Sequence, residues 1–283
     1  MCTYKNICPH FFGQKDLYSY ILEKRKDLIS MKNKVRLLQG DCMDMFKKVA
    51  DDSVDLIVTD PPYGVEYSKG FDDSIEYVRE NIRGWLTEMY RVLKEGCHCY
   101  VFIPTKQAGL WISLIEEIFT FNNILTVKAM TGATYMKNNF AYNGQLVVYC
   151  SKGTAKDFNK YDYFKTSESW LNSPKNKNPH PYSYSYPSLI TECYVNGSTA
   201  KDMLGNRHPC AKNPELLKVF IGISSNPGDV VLDPFMGGGS TAISAVEMNR
   251  QFVGFELSED YFEKVDTFIR NAVVWKGMTV EHE

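Results

Sequence analysis

The chain has 283 residues, 44% hydrophobic and 13% aromatic, with a net charge of −2 at pH 7. That is enough apolar material for one large core plus an insertion, or for two small domains, and it excludes a disordered tail. No run approaches the ~18–20 uncharged apolar residues of a membrane span, and a near-neutral total argues against coating nucleic acid by bulk positive charge, though not against a local basic face.

In chain order, Lys15–Ile29 places Leu17, Tyr18, Ile21, Leu22, Leu28 and Ile29 near one helical face, for the core, a dimer contact or a nucleic-acid surface. This N-terminal extension covers residues 1–30. From Val35 short apolar runs alternate with helical segments. Val35–Leu38 reads as a strand ending in Gly40-Asp41, Met43–Val49 as a short helix and Val54–Thr59 as a buried strand. Ile75–Leu93 reads as a helix interrupted at Gly84, Cys99–Ile103 as a strand and Ala108–Thr120 as a helix. Ile124–Ala129 and Gln145–Cys150 are strands around an Asn-rich hairpin or loop. Residues 151–206 break the rhythm with Lys, Asn, Ser, Tyr and the prolines 174, 179, 181 and 187. Over residues 151–212, eight Lys and one Arg face five acidic residues, so the charge is locally positive. Order returns with a helix at Pro214–Ser224, a strand at Val230–Leu232, a helix at Thr241–Asn249, a strand at Phe252–Phe255 and a helix at Tyr261–Val274. The alternation predicts an α/β sheet with helices on both faces. Its core would comprise residues 31–150 and 207–283, interrupted by the segment 151–206. The eight cysteines lack the spacing of a disulfide framework, and the first thirteen residues lack a secretory pattern; a cytoplasmic protein with reduced thiols is expected.

Three segments carry chemistry. After the Val230–Leu232 strand, Asp233-Pro234-Phe235-Met236-Gly237-Gly238-Gly239-Ser240-Thr241 is a glycine turn opening a helix. Such a turn lets a ligand approach the backbone and leaves helix amides for negative groups. Alone it also fits a relaxed dinucleotide fingerprint, but no Lys-Ser/Thr follows the glycines as a Walker loop requires. Asp233 suits the ammonium or waters of an amino-acid cofactor and would repel a pyrophosphate. Glu256, closing the next strand, suits the vicinal hydroxyls of a ribose. An acid after each strand fits adenosylmethionine, although either acid alone could simply cap a strand or helix. Thr59-Asp60-Pro61-Pro62-Tyr63 ends a hydrophobic strand, at the sheet edge where ligands bind. Its prolines stiffen the loop and remove two donors. An amino nitrogen attacking a methyl sulfonium needs acceptors for its hydrogens, and the Asp60 carboxylate and Pro61 carbonyl can serve. Tyr63 offers a face for an extruded base. By itself, Asp-Pro-Pro is also an ordinary turn.

Taken together and in this order, the motifs resemble the β-group amino-DNA methyltransferases, the adenine N6 and cytosine N4 family, in which the catalytic motif precedes the glycine motif. The likeness runs over about residues 33–150 and 182–270. It includes Gly40-Asp41-Cys42, Thr59 to Tyr63, Tyr90 to Gly96, Tyr100 to Phe102, His208-Pro209-Cys210-Ala211-Lys212-Asn213-Pro214-Glu215, the glycine turn and Gly254 to Tyr261. It implies the class I S-adenosylmethionine-dependent methyltransferase fold, a seven-stranded, mostly parallel sheet with helices on both faces and an inserted target-recognition segment. It further implies that Asp60, Pro61, Pro62 and Tyr63 are catalytic. Asp41 and the Cys42 backbone would hold the cofactor adenine, and Glu256, with Leu257 beside it, the ribose. Asp233, Phe235, Gly237 and Gly239 would surround the methionine part, with Asp60, Ser240, Thr241 and Lys212 nearby. The chain departs from the family where Asn213 splits the usual Lys-Pro pair, and where Gly238 and Ser240 stand for residues more often Ser and Thr. Gln145 stands where Glu is frequent.

The implied reaction is site-specific methyl transfer to adenine N6 in duplex DNA by direct displacement after base flipping, with no metal. Asp at position 60 favours adenine over cytosine N4. Rivals are cytosine N4 methylation, a catalytically silent cofactor-binding DNA regulator, and methylation of RNA or protein amides, whose enzymes usually place the glycine motif first. Double-stranded DNA is the implied partner, with a homodimer and a cognate restriction endonuclease as further options. Cys97-His98-Cys99 has a metal-like composition, but a strand sends neighbouring side chains to opposite faces, which favours core packing. Cys2, Cys8 and His10 lack a fourth ligand nearby. Tyr182, Tyr184 and Tyr186 line one side of an extended stretch, either near DNA or packed on the core.

Overall fold

The computed structural model describes residues 34–64, 73–130, 144–159, 189–196, 212–276 and 279–282. The predicted helix at 15–29, the hairpin before Gln145, the tyrosines 182, 184 and 186, the pair Cys2/Cys8 with His10, and His208 to Ala211 lie outside the described residues.

Along the chain run β1 (Lys34–Gln39), α1 (Cys42–Phe46), β2 (Val54–Thr59), α2 (Ile75–Val92), β3 (Leu93–Ile103), α3 (Ala108–Ile118), β4 (Thr120–Met130) and β5 (Gly144–Ser151). Then follow β6 (Leu189–Asn196), α4 (Pro214–Ser224), β7 (Val230–Asp233), α5 (Ser240–Glu247), β8 (Gln251–Glu256), α6 (Glu259–Lys276) and β9 (Thr279–His282). The described strands form one sheet of nine in the order β6-β4-β5-β3-β2-β7-β8-β1-β9. Its seven inner strands are those anticipated from the sequence; β6 and β9 extend the two edges. Only β5 runs against its neighbours, pairing antiparallel with β3 and β4.

The sheet divides two cores. On one side Leu38, Ile57, Cys99, Val101 and Leu232 pack with α1, α2 and α3. On the other Leu37, Leu56, Val58, Tyr100, Phe102 and Val231 pack with α4, α5 and α6. This is the period-two alternation of strands covered on both faces. In α2, Val78, Ile82, Trp85, Leu86, Met89 and Val92 form the buried stripe, and Ser74 caps the first turn through the Tyr77 amide at 3.2 Å. The helix runs through Gly84 without a break. A glycine weakens a helix by only about 1 kcal/mol, less than that stripe gains by burial.

Three further differences from expectation involve segments distant in the chain. β3 starts at Leu93 instead of Cys99, with a register irregularity opposite Val54 and Leu56. Its polar start is held by residues 152–156, through Gly96 N to the Lys152 carbonyl at 2.7 Å and Lys156 N to the Gly96 carbonyl at 2.9 Å. The chain therefore stays on the core past position 151, and Asn159 N still reaches the Ile223 carbonyl at 2.7 Å. β6 falls inside the segment expected to be irregular. Cys97 and Cys99 are buried with the α2 side of the sheet, whereas His98 bonds Ser224 Oγ of α4 at 2.8 Å and the Lys156 carbonyl at 2.9 Å. Burial lowers the His98 pKa, so it stands as a neutral core group. No helix among the described residues is long and apolar enough to cross a membrane.

The fit is tight where β8 passes the glycine turn. A Cβ added at Gly254 would lie 2.5 Å from Phe252 Cε1 and 2.8 Å from Met236 Sδ, both in buried residues. Gly254→Ala is expected to cost about 1–3 kcal/mol by overpacking, seen as a thermal midpoint several degrees lower. An unchanged midpoint would show that the turn gives way freely.

Candidate active site

The parallel strands β1, β2, β7 and β8 all end at one edge. Chain leaving β2 crosses by α2 to β3 on one side, and chain leaving β7 crosses by α5 to β8 on the other. The β2/β7 seam is therefore a topological switch point, where a crevice opens beyond the strand ends. A cavity of about 830 Å³ occupies it. It is lined by Asp41, Cys42, Asp60, Pro61, Pro62, Tyr63, Lys212, Asp233, Phe235, Gly237, Ser240, Thr241, Glu256 and Leu257. Of the residues expected from the sequence, Gly239 alone is absent from the lining. It sits just behind, at φ +76° as the residue before α5. A Cβ there would stand 2.8 Å from Val265 Cγ1, so the turn needs glycine on both counts.

The glycine turn is held by carboxylates. Glu256 accepts Gly237 N at 2.9 Å on one oxygen and Ser258 N at 2.8 Å on the other. Burial raises its pKa, and those amides oppose the rise. Asp41 caps α1 by accepting Met43 N at 2.8 Å. Beside it the Cys42 thiol is pushed up to about 12, first by burial and then by the Asp41 charge; it is a neutral wall group, not a nucleophile. Phe235 meets Trp85 edge-on at 5.0 Å, which fixes the apolar wall.

Two of the lining residues are also engaged by protein groups. Asp233 is 3% exposed, and both of its oxygens are engaged by protein. Oδ1 accepts Thr59 Oγ1 at 2.8 Å and Phe235 N at 3.1 Å, and Oδ2 accepts Thr241 Oγ1 at 2.7 Å. It is a strut between β2, β7 and α5, and burial raises its pKa to about 6. Lys212 is paired with the Asp60 carboxylate, and its ammonium stands 4.9 Å from the Phe102 ring centroid. The extra residue between Lys212 and Pro214 has a local task. Asn213 caps α4, accepting Glu215 N at 2.9 Å, with Pro214 in the first turn.

At the loop after β2, Asp60 also receives the Tyr63 hydroxyl. Gln107 Nε2 donates to the Tyr63 carbonyl at 2.6 Å and Gln145 Nε2 to the Tyr63 hydroxyl at 2.9 Å. Sequence reasoning assigned Gln107 nothing and left Gln145 without a role. Tyr63 is distant from both in the chain; Gln107 has no motif signature, and the one signal at Gln145 is that it stands where the resembled family often has Glu.

The N6/N4 DNA methylase family profile matches residues 54–267. The chain is 29% identical over 249 residues to the DNA adenine methyltransferase YhdJ of Escherichia coli (strain K12), covering 80% of each. Among solved structures, the M1.HpyAVI–SAM complex is similar at TM-score 0.58 and 22% identity, over 82% of this chain and 98% of that one. The cytosine-N4-specific PvuII DNA methyltransferase is similar at TM-score 0.61 and 17% identity, over 88% and 95%. At these identities the structural likeness is one of fold.

Proposed function

This chain belongs to the N6/N4 DNA methylase family, and from that premise we propose that it transfers the methyl group of S-adenosylmethionine to adenine N6 in duplex DNA. Its fold is the class I S-adenosylmethionine-dependent methyltransferase fold. The donor set fits that cofactor. Glu256 and Asp41 offer carboxylates for hydroxyl and amino groups, the turn at Gly237 offers a close backbone, and Phe235 with Trp85 offers an apolar wall. When bound, the cofactor supplies an electrophilic methyl group on a sulfonium.

The observation that carries the reading is the placement of Asp60 on the same cavity as Glu256 and Asp41, at the end of a buried strand. A carboxylate there accepts a hydrogen of an attacking amino group, and the Pro61 carbonyl, next to a residue with no N–H, accepts the other. This localises the nitrogen lone pair without a covalent enzyme intermediate. Tyr63 provides the stacking face for a base turned out of the duplex. Positioning and fixed acceptors supply the acceleration. The aspartate at position 60 and the likeness to a relative named as an adenine methyltransferase support adenine over cytosine. Residues 151–206, with their local excess of Lys, are the reading's target-recognition segment.

The test is incubation with methyl-labelled cofactor and mixed-sequence duplex DNA, followed by digestion and nucleoside chromatography. Label is expected in N6-methyladenine. Label in N4-methylcytosine would move the target base, and absence of label would overturn the assignment in favour of a silent binder.

A further inference from the structure

Because β5 runs antiparallel, it delivers its first residues, not its last, to the edge where β2 ends. Gln145, the second residue of β5, pairs with Val127, and its neighbour Leu146 pairs with Ile103 at the end of β3. From there its Nε2 reaches the Tyr63 hydroxyl at 2.9 Å, and that hydroxyl donates to Asp60. The chemistry fixes the direction of each bond. A phenol has one hydrogen, and an ionised carboxylate can only accept, so the phenol hydrogen is committed to Asp60. The group facing the phenol oxygen from the other side must then be a donor, which the amide NH₂ is and the amide oxygen is not.

We propose that Gln145 is a positioning residue for methyl transfer: by donating to Tyr63 it turns the phenol hydrogen onto Asp60. One contact thereby sets the position of the ring's tip and the orientation of the catalytic carboxylate. Gln107 anchors the same residue at its other end, through the Tyr63 carbonyl at 2.6 Å. Tyr63 is thus held at its backbone carbonyl and its hydroxyl tip, and its side chain cannot swing away from Asp60 without breaking a bond. Chained donors of this kind polarise one another, and small errors of placement at a reacting centre are costly in rate.

This inference rests on the reading under Proposed function. Gln145→Leu removes the donor and keeps the bulk; kcat is expected to fall about 10- to 100-fold, with KM for DNA and the dissociation constant of S-adenosylmethionine within about threefold of wild type. Tyr63→Phe removes the hydroxyl, and the double variant with Gln145→Leu should be no slower than Tyr63→Phe alone, since both act through one bond chain. Gln145→Glu reverses the polarity, because an ionised carboxylate accepts the phenol hydrogen and takes it from Asp60. Its activity should be low in alkaline buffer and should recover towards acid, where the introduced carboxyl becomes a donor, whereas wild type lacks that recovery. Equal kcat for wild type and Gln145→Leu, or losses that multiply in the double variant, overturn this inference alone. A wild-type protein that methylates no DNA overturns it together with the proposed function.

Discussion

Replacing Asp60 by alanine is expected to lower kcat for DNA methylation by about a thousandfold, the scale seen when a group that handles a proton or charge at the reacting atom is lost. Cofactor binding should survive, because Glu256 and Asp41 keep their own partners. A stability cost should appear alongside. The Lys212 and Asp60 side chains are only 10% and 19% exposed, so removing one strands the other. Complete burial would set that cost near 3–5 kcal/mol, and partial access to water brings it to about 1–3 kcal/mol. Adding Lys212→Met to the Asp60→Ala variant should restore most of the lost stability and none of the activity. Single-turnover kinetics at saturating cofactor, with thermal melts of both variants, checks this. A kcat within threefold of wild type would remove Asp60 from the chemistry.

The second large effect concerns Asp233. Its ordinary value of 3.8 rises to about 6 in the folded chain, chiefly by burial, with the Asp60 charge adding to the rise. A carboxyl whose folded pKa is raised holds its proton more tightly folded than unfolded. Its contribution to stability is therefore fully present below pH 3.8 and is lost as pH climbs through about 6. The difference corresponds to about 3 kcal/mol given up at neutral pH. Asp233→Asn keeps an acceptor for Thr59 Oγ1 and Phe235 N and presents a donor to Thr241, with no charge to bury. Relative to wild type it should be more stable at pH 7–8 by about 1–3 kcal/mol, and the advantage should shrink steadily from pH 6 to pH 4. Loss of negative charge at the wall should weaken binding of the cationic cofactor in the same variant. Thermal midpoints of the two proteins across that range, with calorimetric cofactor titrations, decide the matter. Parallel midpoint curves would mean that Asp233 does not carry the titration.

How much was legible in the sequence follows from how local each signal is. Pro214–Ser224 can be read to the residue because Asn213, Pro214 and an apolar stripe all fall within one helix. Val54–Thr59 is equally clear, as an apolar run ending at the Asp-Pro-Pro turn. The start of β3 is not, because Lys94-Glu95-Gly96 is polar and is held by partners distant in the chain, residues 152–156 and Asp55. β9 is a short, partly polar strand whose sole described strand partner is β1, almost the whole chain away. The same rule governs the site. The acids and glycines announce themselves by spacing and Lys212 by its motif, whereas Gln107 and Gln145 acquire roles only through a partner 44 and 82 positions distant. Asp233 shows the limit of reading by type. Its charge was legible, but not that two threonines and an amide enclose it.

One bond places a demand on synthesis. The hydroxyl of Thr59 meets Asp233 across 174 positions of chain, at the seam where β2 and β7 lie side by side. A ribosome finishes β2 early and must make four further strands of the same sheet, β3 to β6, before β7 leaves the exit tunnel. Until then β2 has one flank unpaired in the middle of what will be the sheet. Contacts of such high sequence separation form late, because a long loop must close before they repay its entropy. The methyltransferase consequently has neither its glycine turn nor a finished edge beyond β2 while most of its length is already made, and an unpaired central strand is the hazard that nascent chain carries.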